Sequence, residues 1–426
     1  MRGALYRYVL PNIMAMLGMS CYILADTFFI SRAAGADGLT ALNLVMPVYS
    51  TMFAVGSLIG IGSASRYAIL QAAGDRRVQR CFTNALLWIA MGALPFVMLG
   101  TLAPGAVLHL LGADAVIYAV GLRYLQVVMC FAPAFMWNYA VTGFVRNDGA
   151  PRLAMCATLL SSGFNIVFDY IFMFSMGMGM FGAGLATAIS PVVSIAFCLP
   201  HYLSRKANVH PVRMLPDVRL LLSSCMLGLS ALIGEVANAA TVVVFNFVLL
   251  ALGGNIAVAA YGVVANVAIV LVAIFNGVAQ GLQPLAGEAA GRGDEKKKKA
   301  ILRESLLLGC IMSAVIVAGL WLFAAPVTAV FNSEHSAQLA ELATRGLRLY
   351  SLGFLFAAVN LICAGFFSAV GRARESFVIS CSRGIAAIIA FALILPQLLG
   401  MTGVWLAFPA AEAVTFLLSL HYRRCI

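Results

Sequence analysis

Charge is scarce in this 426-residue chain. Lys, Arg, Asp and Glu make up 10% of it, against 62% hydrophobic residues, whereas soluble domains run about 25% charged. That scarcity excludes an ordinary water-soluble fold. Histidine is equally thin: His109, His201, His210, His335 and His421 all fall near loops, and no paired acidic motif accompanies them. A membrane enzyme built on metal or acid–base chemistry is therefore disfavoured. The chain lacks a G-x-x-x-x-G-K-[ST] phosphate loop and any soluble segment to house one, which argues against an ATP-driven pump. Its ten cysteines form no C-x-x-C pair, and most sit in apolar runs. They read as small packing residues, with neither a disulfide framework nor a metal site indicated. No A-x-A-like cleavage site follows the first apolar run, so that run is read as a span and not as a cleaved leader.

What the chain has instead is a succession of long apolar runs. At about 20 residues per crossing, they predict an all-α integral membrane protein of twelve transmembrane helices. The expected spans are 6–31, 40–67, 80–103, 117–143, 152–177, 181–203, 218–251, 256–284, 300–323, 342–368, 375–396 and 401–422. Basic residues set the expected orientation. With both termini cytoplasmic, 23 of the 27 Lys and Arg fall inside, including Arg146, Arg205, Lys206, Arg383 and the run Lys296 to Lys299. Only Arg32, Arg123, Arg345 and Arg348 are left outside. The net charge of +11 is thus scattered over short loops facing anionic headgroups, and nucleic acid is not an expected partner.

The chain also repeats itself with a shift of about 220 residues. Gly35 and Ala73-Gly74-Asp75 recur as Gly254 and Gly291-Arg292-Gly293-Asp294, with Gly35 to Gly74 spaced as Gly254 to Gly293. Arg123 recurs as Arg345, Gly149 as Gly371, Met180-Phe-Gly as Met401-Thr-Gly, and His201-Tyr202 as His421-Tyr422. Six spans per half is even, so the halves enter the membrane in one direction, related by an axis along the membrane normal. The expected organisation is an N-terminal lobe over 1–204, a cytoplasmic linker over 205–217 and a C-terminal lobe over 218–426. Two pseudo-symmetric six-helix bundles would then rock about a central cleft.

Against this apolar background a few polar residues stand out. A carboxylate in hydrocarbon costs several kcal/mol, so an intramembrane acid is a functional candidate by default. Asp26 lies near the end of the run from Tyr8 to Ile30, and Asp169 inside the run from Leu153 to Met178. Both spans enter from inside, which puts the two acids at similar depth in the outer half of the N-lobe. Asn165 precedes Asp169 by one turn, and Tyr22 precedes Asp26 by one turn. The alternatives stay open: Asp26 could cap the outer end of its helix, and Asn165 could be packing glue. Phe245 occupies the position equivalent to Asp26, so the acid is not duplicated. Glu235, midway along span seven, and Glu412 in span twelve form a second set of buried acids.

The order and spacing of several motifs resemble those of the multidrug and toxic compound extrusion (MATE) family, of the prokaryotic DinF- or MepA-like type in the MOP flippase superfamily. They are Ala25-Asp26-Thr27-Phe28-Phe29-Ile30, Arg146-Asn147-Asp148-Gly149-Ala150-Pro151-Arg152, Asn165-Ile-Val-Phe-Asp169, Gly182-Ala-Gly-Leu-Ala-Thr187 and Gln283-Pro284-Leu-Ala-Gly287. The resemblance covers the whole chain. It implies secondary antiport, exporting amphipathic, often cationic compounds against inward H⁺ or Na⁺, with no other cofactor. It implies a cation site at Asp26, Asn165 and Asp169, with the Thr187 hydroxyl nearby, and a bend of span one at Pro11. Glu235 resembles an acid that some members use for cations or cationic substrate. Where others carry an Asp in span ten, this chain has Asn360, a departure from the family's pattern at that position. Trp137, Asn138, Gln283 and Asn360 are candidates for the substrate cleft. A monomer in a bacterial inner membrane is expected. The alternative reading is a flippase for a lipid-linked saccharide precursor, or an exporter of another endogenous metabolite.

Overall fold

The computed structural model describes residues 2–204, 207–331 and 336–424. Arg205, Lys206 and His335 lie outside them. The described residues are mostly helical, with no strand among them, as expected where hydrocarbon offers no partner for a free backbone N–H or C=O. Ten helices are long and apolar enough to cross a membrane, from Gly3–Gly35 and Asp37–Ala72 through Met401–Arg424. Two bent pairs complete the twelve spans: Ala115–Cys130 with Ala132–Asn147 at 45°, and Ala337–Ser351 with Phe354–Ala369 at 47°. These are spans four and ten, so the break itself is repeated. In span four it precedes Pro133, whose ring and missing N–H interrupt the ladder. A short helix, Pro104–Leu110, was not expected between spans three and four.

The repeat is written in the backbone as well as the sequence. Gly35 has φ 60°, ψ −148° and Gly254 φ 62°, ψ −157°. Each lets the chain break from one span into the next through a conformation that a side chain would strain. Gly74 and Gly293 share φ 69°, Gly179 and Gly400 share φ 55°, and Gly149 and Gly371 stand at 90° and 86°. Asp75 and Asp294, at equivalent positions, each accept a backbone N–H from the following turn, at Arg77 and Lys297. Arg77 also chelates the Asp75 carboxyl and holds it down to about 2.

Three apolar clusters organise the bundle. The first draws on spans one to six, with Val209 and Leu220 joining it. The second lies wholly between Phe245 and Ala411. The third alone mixes the halves deeply, packing Leu5, Val9 and Ile13 of span one against Val278, Leu282 and Phe366. It sits near the end of the bundle that carries Arg2 and Arg424, here called the basic end. There Gly277 and Gly281 of span eight meet Ile13 and Val9: a Cβ on either glycine would lie 2.6 Å from the facing Cα. Gly62 and Leu58 of span two meet Ser224 and Gly228 of span seven just as closely. Shifting by 219 residues turns Val9 into Gly228 and Gly281 into Gly62, so one interface is the image of the other. Small residues let the backbones touch, the usual way helices associate in a bilayer.

Residues 207–217 are held by the first half. Asn208 donates from its backbone and side chain to Asp148, at 3.0 and 3.1 Å. Val212 N–H reaches Thr83 Oγ1, and Asn84 brackets the backbone of Asp217 from both sides. Asp148 also accepts from Tyr67 and pairs with His201.

Two basic residues counted on the cytoplasmic side turn into the protein. Arg146 is 5% exposed at the end of span four, and Arg383 lies inside span eleven with a side chain 14% exposed. Both stand close enough to a helix end in the sequence to be counted with the loop, but their side chains turn into the protein.

Candidate functional site

Asp26 and Asp169 come together. Asp26 is 8% exposed and Asp169 fully buried, and their carboxyl groups lie within hydrogen-bonding range of each other. No donor reaches Asp26 Oδ1, Asp169 Oδ1 or Asp169 Oδ2. Asn165, also fully buried, spends its amide N–H on Thr187 Oγ1 at 3.2 Å. That leaves Asn165 Oδ1 without a donor too. Four buried oxygens therefore converge on spans one and five with nothing positive to satisfy them. An apolar protein interior tolerates such a set only if a proton or a small hard cation completes it. Carboxylate and carbonyl oxygens are the donor type such an ion takes. Immediately after Asp169 and Tyr170 the helix widens into a π-turn, Ile171–Ser175, a feature that recurs at functional positions.

Tyr22 stands beside this pair and also within electrostatic reach of Glu235. Glu235 also lies within electrostatic reach of Tyr139 of span four, so the two face each other from opposite halves. Tyr139 was not singled out from the sequence, although its neighbours Trp137 and Asn138 were. The helical screw explains the difference, since adjacent residues point about 100° apart. Trp137 turns away: its indole N–H bonds Leu86 O in span three at 3.0 Å, and its ring packs on the first cluster. Asn138 and Gln283 each keep a buried carbonyl oxygen without a donor.

Glu412 does not join Glu235. Arg383 grips it at 2.5 Å through Nη2 and at 3.4 Å through Nε, and Asn360 Nδ2 donates to it at 2.7 Å. Ser419 in turn donates to Asn360 Oδ1. This closed cluster satisfies Glu412 with a resident guanidinium. Glu412 is buried, as expected of an acid in span twelve, but it is paired with Arg383 and Asn360 and not grouped with Glu235; Asn360 is fully buried beside it. Pro11 lies in unbroken helix, where Gly35 is the only residue with non-helical angles. Asn12 Nδ2 donates to the Tyr8 carbonyl at 2.7 Å, one residue along from the Arg7 carbonyl that the missing proline N–H leaves free.

Twelve spans in two repeated halves, with a pair of donor-free acids buried inside the first, are the frame of a membrane transporter. The MatE family model matches residues 11–171 and 231–394, and the chain belongs to that family. The multidrug export protein MepA of Staphylococcus aureus (strain NCTC 8325 / PS 47) is 26% identical, over 98% of this chain and 92% of that protein. MepA of Staphylococcus saprophyticus is 24% identical, over 97% and 91%. Among solved structures, an outward-facing multidrug resistance MATE transporter of the MOP superfamily superposes with a TM-score of 0.92 at 23% identity, covering 99% of this chain and 95% of that one. A MOP superfamily transporter from Pyrococcus furiosus, described as having a binding pocket of reverse polarity, gives 0.90 at 23% with the same coverage.

Proposed function

We propose that this protein is a multidrug efflux antiporter that exports amphipathic cationic compounds in exchange for H⁺ or Na⁺. The observation that carries the reading is the donor-free carboxyl pair of Asp26 and Asp169. Two carboxylates this close, out of water, favour uptake of one positive charge, and substrate export would be driven by that uptake. Asn165, oriented by Thr187, offers a further oxygen to the same ion. Glu235 takes the positive end of the substrate in the cleft, with Tyr22 and Tyr139 supplying aromatic faces for it. Substrate at Glu235 sits between Glu235 in one half and Tyr139 in the other, which ties occupancy to their separation. The relatives' description as multidrug export proteins supports the substrate class.

The excess of basic residues at one end supports an orientation with both termini in the cytoplasm of a bacterial cell. The halves meet at that basic end, while the two cores at the other end stay separate. On this reading the structure is the outward-open member of a rocker-switch pair. The test is transport into or out of liposomes under imposed ΔpH or Na⁺ gradients. The wild type should concentrate a lipophilic cation under one of the two gradients, and Asp26→Asn and Asp169→Asn should reduce this to the protein-free background. Gradient-driven transport that survives both substitutions would overturn the assignment.

A further inference from the structure

Arg146 is a buried charge without a counter-charge. Its Nη1 donates to Asn12 Oδ1 at 3.0 Å and to Gln280 Oε1 at 2.6 Å. Its Nε has no acceptor, and no acidic side chain pairs with it among the described residues. Both acceptors are neutral amides, one from each half of the molecule. The site lies in the layer where Val9 and Ile13 close on Gly281 and Gly277. It therefore stands between the acid cluster and the basic end. The fold does not require an arginine there, because the equivalent position in the second half is Ser368, whose hydroxyl bonds Leu227 O within its own half. A buried unpaired cation is costly, and in a transporter such a charge marks a task.

We propose that Arg146 is the electrostatic barrier of the closed gate: a fixed positive charge that stops the coupling cation from slipping through to the basic end without turnover. Packing alone excludes a large substrate, but a proton or a small ion needs only a thread of water. A guanidinium in that thread repels either one, as charged constrictions do in pores that exclude cations. Gln280 and Asn12 hold the guanidinium across the seam for as long as the gate is shut. The inference rests on the coupling role given to Asp26 and Asp169.

The test is cation leak in substrate-free liposomes holding the full-length protein, with the membrane potential clamped, read by a pH dye and a Na⁺ dye in parallel with chloride efflux. Arg146→Gln should raise cation leak by ~10-fold or more, equivalent to a barrier lowered by about 1.4 kcal/mol, without raising chloride leak. Arg146→Lys keeps the charge and should stay near wild type. Gln280→Glu leaves the arginine in place but neutralises it, and should leak like Arg146→Gln. A leak that admits chloride equally would show loosened packing and overturn the proposal. So would a tight Arg146→Gln or Gln280→Glu protein, or a lysine variant as leaky as the glutamine one. Failure of the coupling assignment would appear separately, as wild-type transport by Asp169→Asn.

Discussion

At the residue scale Asp26 and Asp169 are handled in the opposite way from Glu412. The first half leaves Asp26 and Asp169 without a donor, and the second gives Glu412 an arginine, an asparagine and a place in the packing. Breaking a buried pair strands a charge, at a cost of about 3–5 kcal/mol, while replacing both members with apolar residues is often neutral. Arg383→Met should therefore lower thermal stability in detergent sharply, and the double variant Arg383→Met, Glu412→Leu should recover most of the loss. Gradient-driven transport by the double variant should remain, since neither residue touches the unpaired acids. A double variant that is stable but no longer coupled would place Glu412 in the transport cycle. The contrast also separates what a sequence can and cannot reveal about acids. Asp26, Asp169, Glu235 and Glu412 are equally conspicuous in apolar runs, yet only the packing tells which of them a neighbouring cation has already satisfied.

At the element scale, the closed interface depends on Gly277-Val-Ala-Gln-Gly281 lying flush on Val9 and Ile13. Gly277→Val inserts a branched side chain where a single Cβ already lies 2.6 Å from Ile13 Cα. Overpacking of that kind costs about 1–3 kcal/mol, and it is levied only while the gate is shut. The population should move toward the state open at the basic end, by roughly tenfold for each 1.4 kcal/mol. Accessibility of a cysteine placed at Ile13 to a membrane-impermeant thiol reagent, in a cysteine-free background, would report it. Unchanged labelling would mean that the glycine is not the contact that sets closure. The spans themselves were legible because hydrocarbon imposes length and composition on each, and Gly35 and Gly254 because a reversal between spans needs their backbone. The Gly277 and Gly281 pair and Tyr139 escaped notice, and Arg146 and Arg383 were counted only as charges on the cytoplasmic side. Each matters through what lies opposite it in space, often across the two halves. Counting basic residues near helix ends treats Arg146 and Arg383 as loop charges, although a long side chain in the last turn or inside a helix can point into the protein.

At the scale of the whole molecule, the repeat makes the motion a symmetric one. Span one meets span eight as span seven meets span two, so both seams must part together if either does, and the pseudo-twofold axis passes between them. The linker cannot absorb that motion over its described residues, because Asn208, Val212 and Asp217 are bonded to the first half. The change must be taken up where spans seven and eight leave that contact. Spin labels at Arg76 and Glu295 report the basic end at positions 219 residues apart, both exposed; labels at Arg32 and Leu252 report the opposite end, also at exposed positions. A rocking pair of rigid halves requires the two distances to change in opposite senses, one lengthening as the other shortens. Asp26→Asn and Asp169→Asn, which mimic the charge-neutral site, should bias both distances in the same coordinated way as the coupling ion does. Electron–electron resonance on the two labelled proteins, with and without the neutralising substitutions, would measure this directly. If one end moves while the other keeps a single distance, the halves are not rigid bodies. The gating would then reside in the bending of individual helices, with the broken spans four and ten as the first places to look.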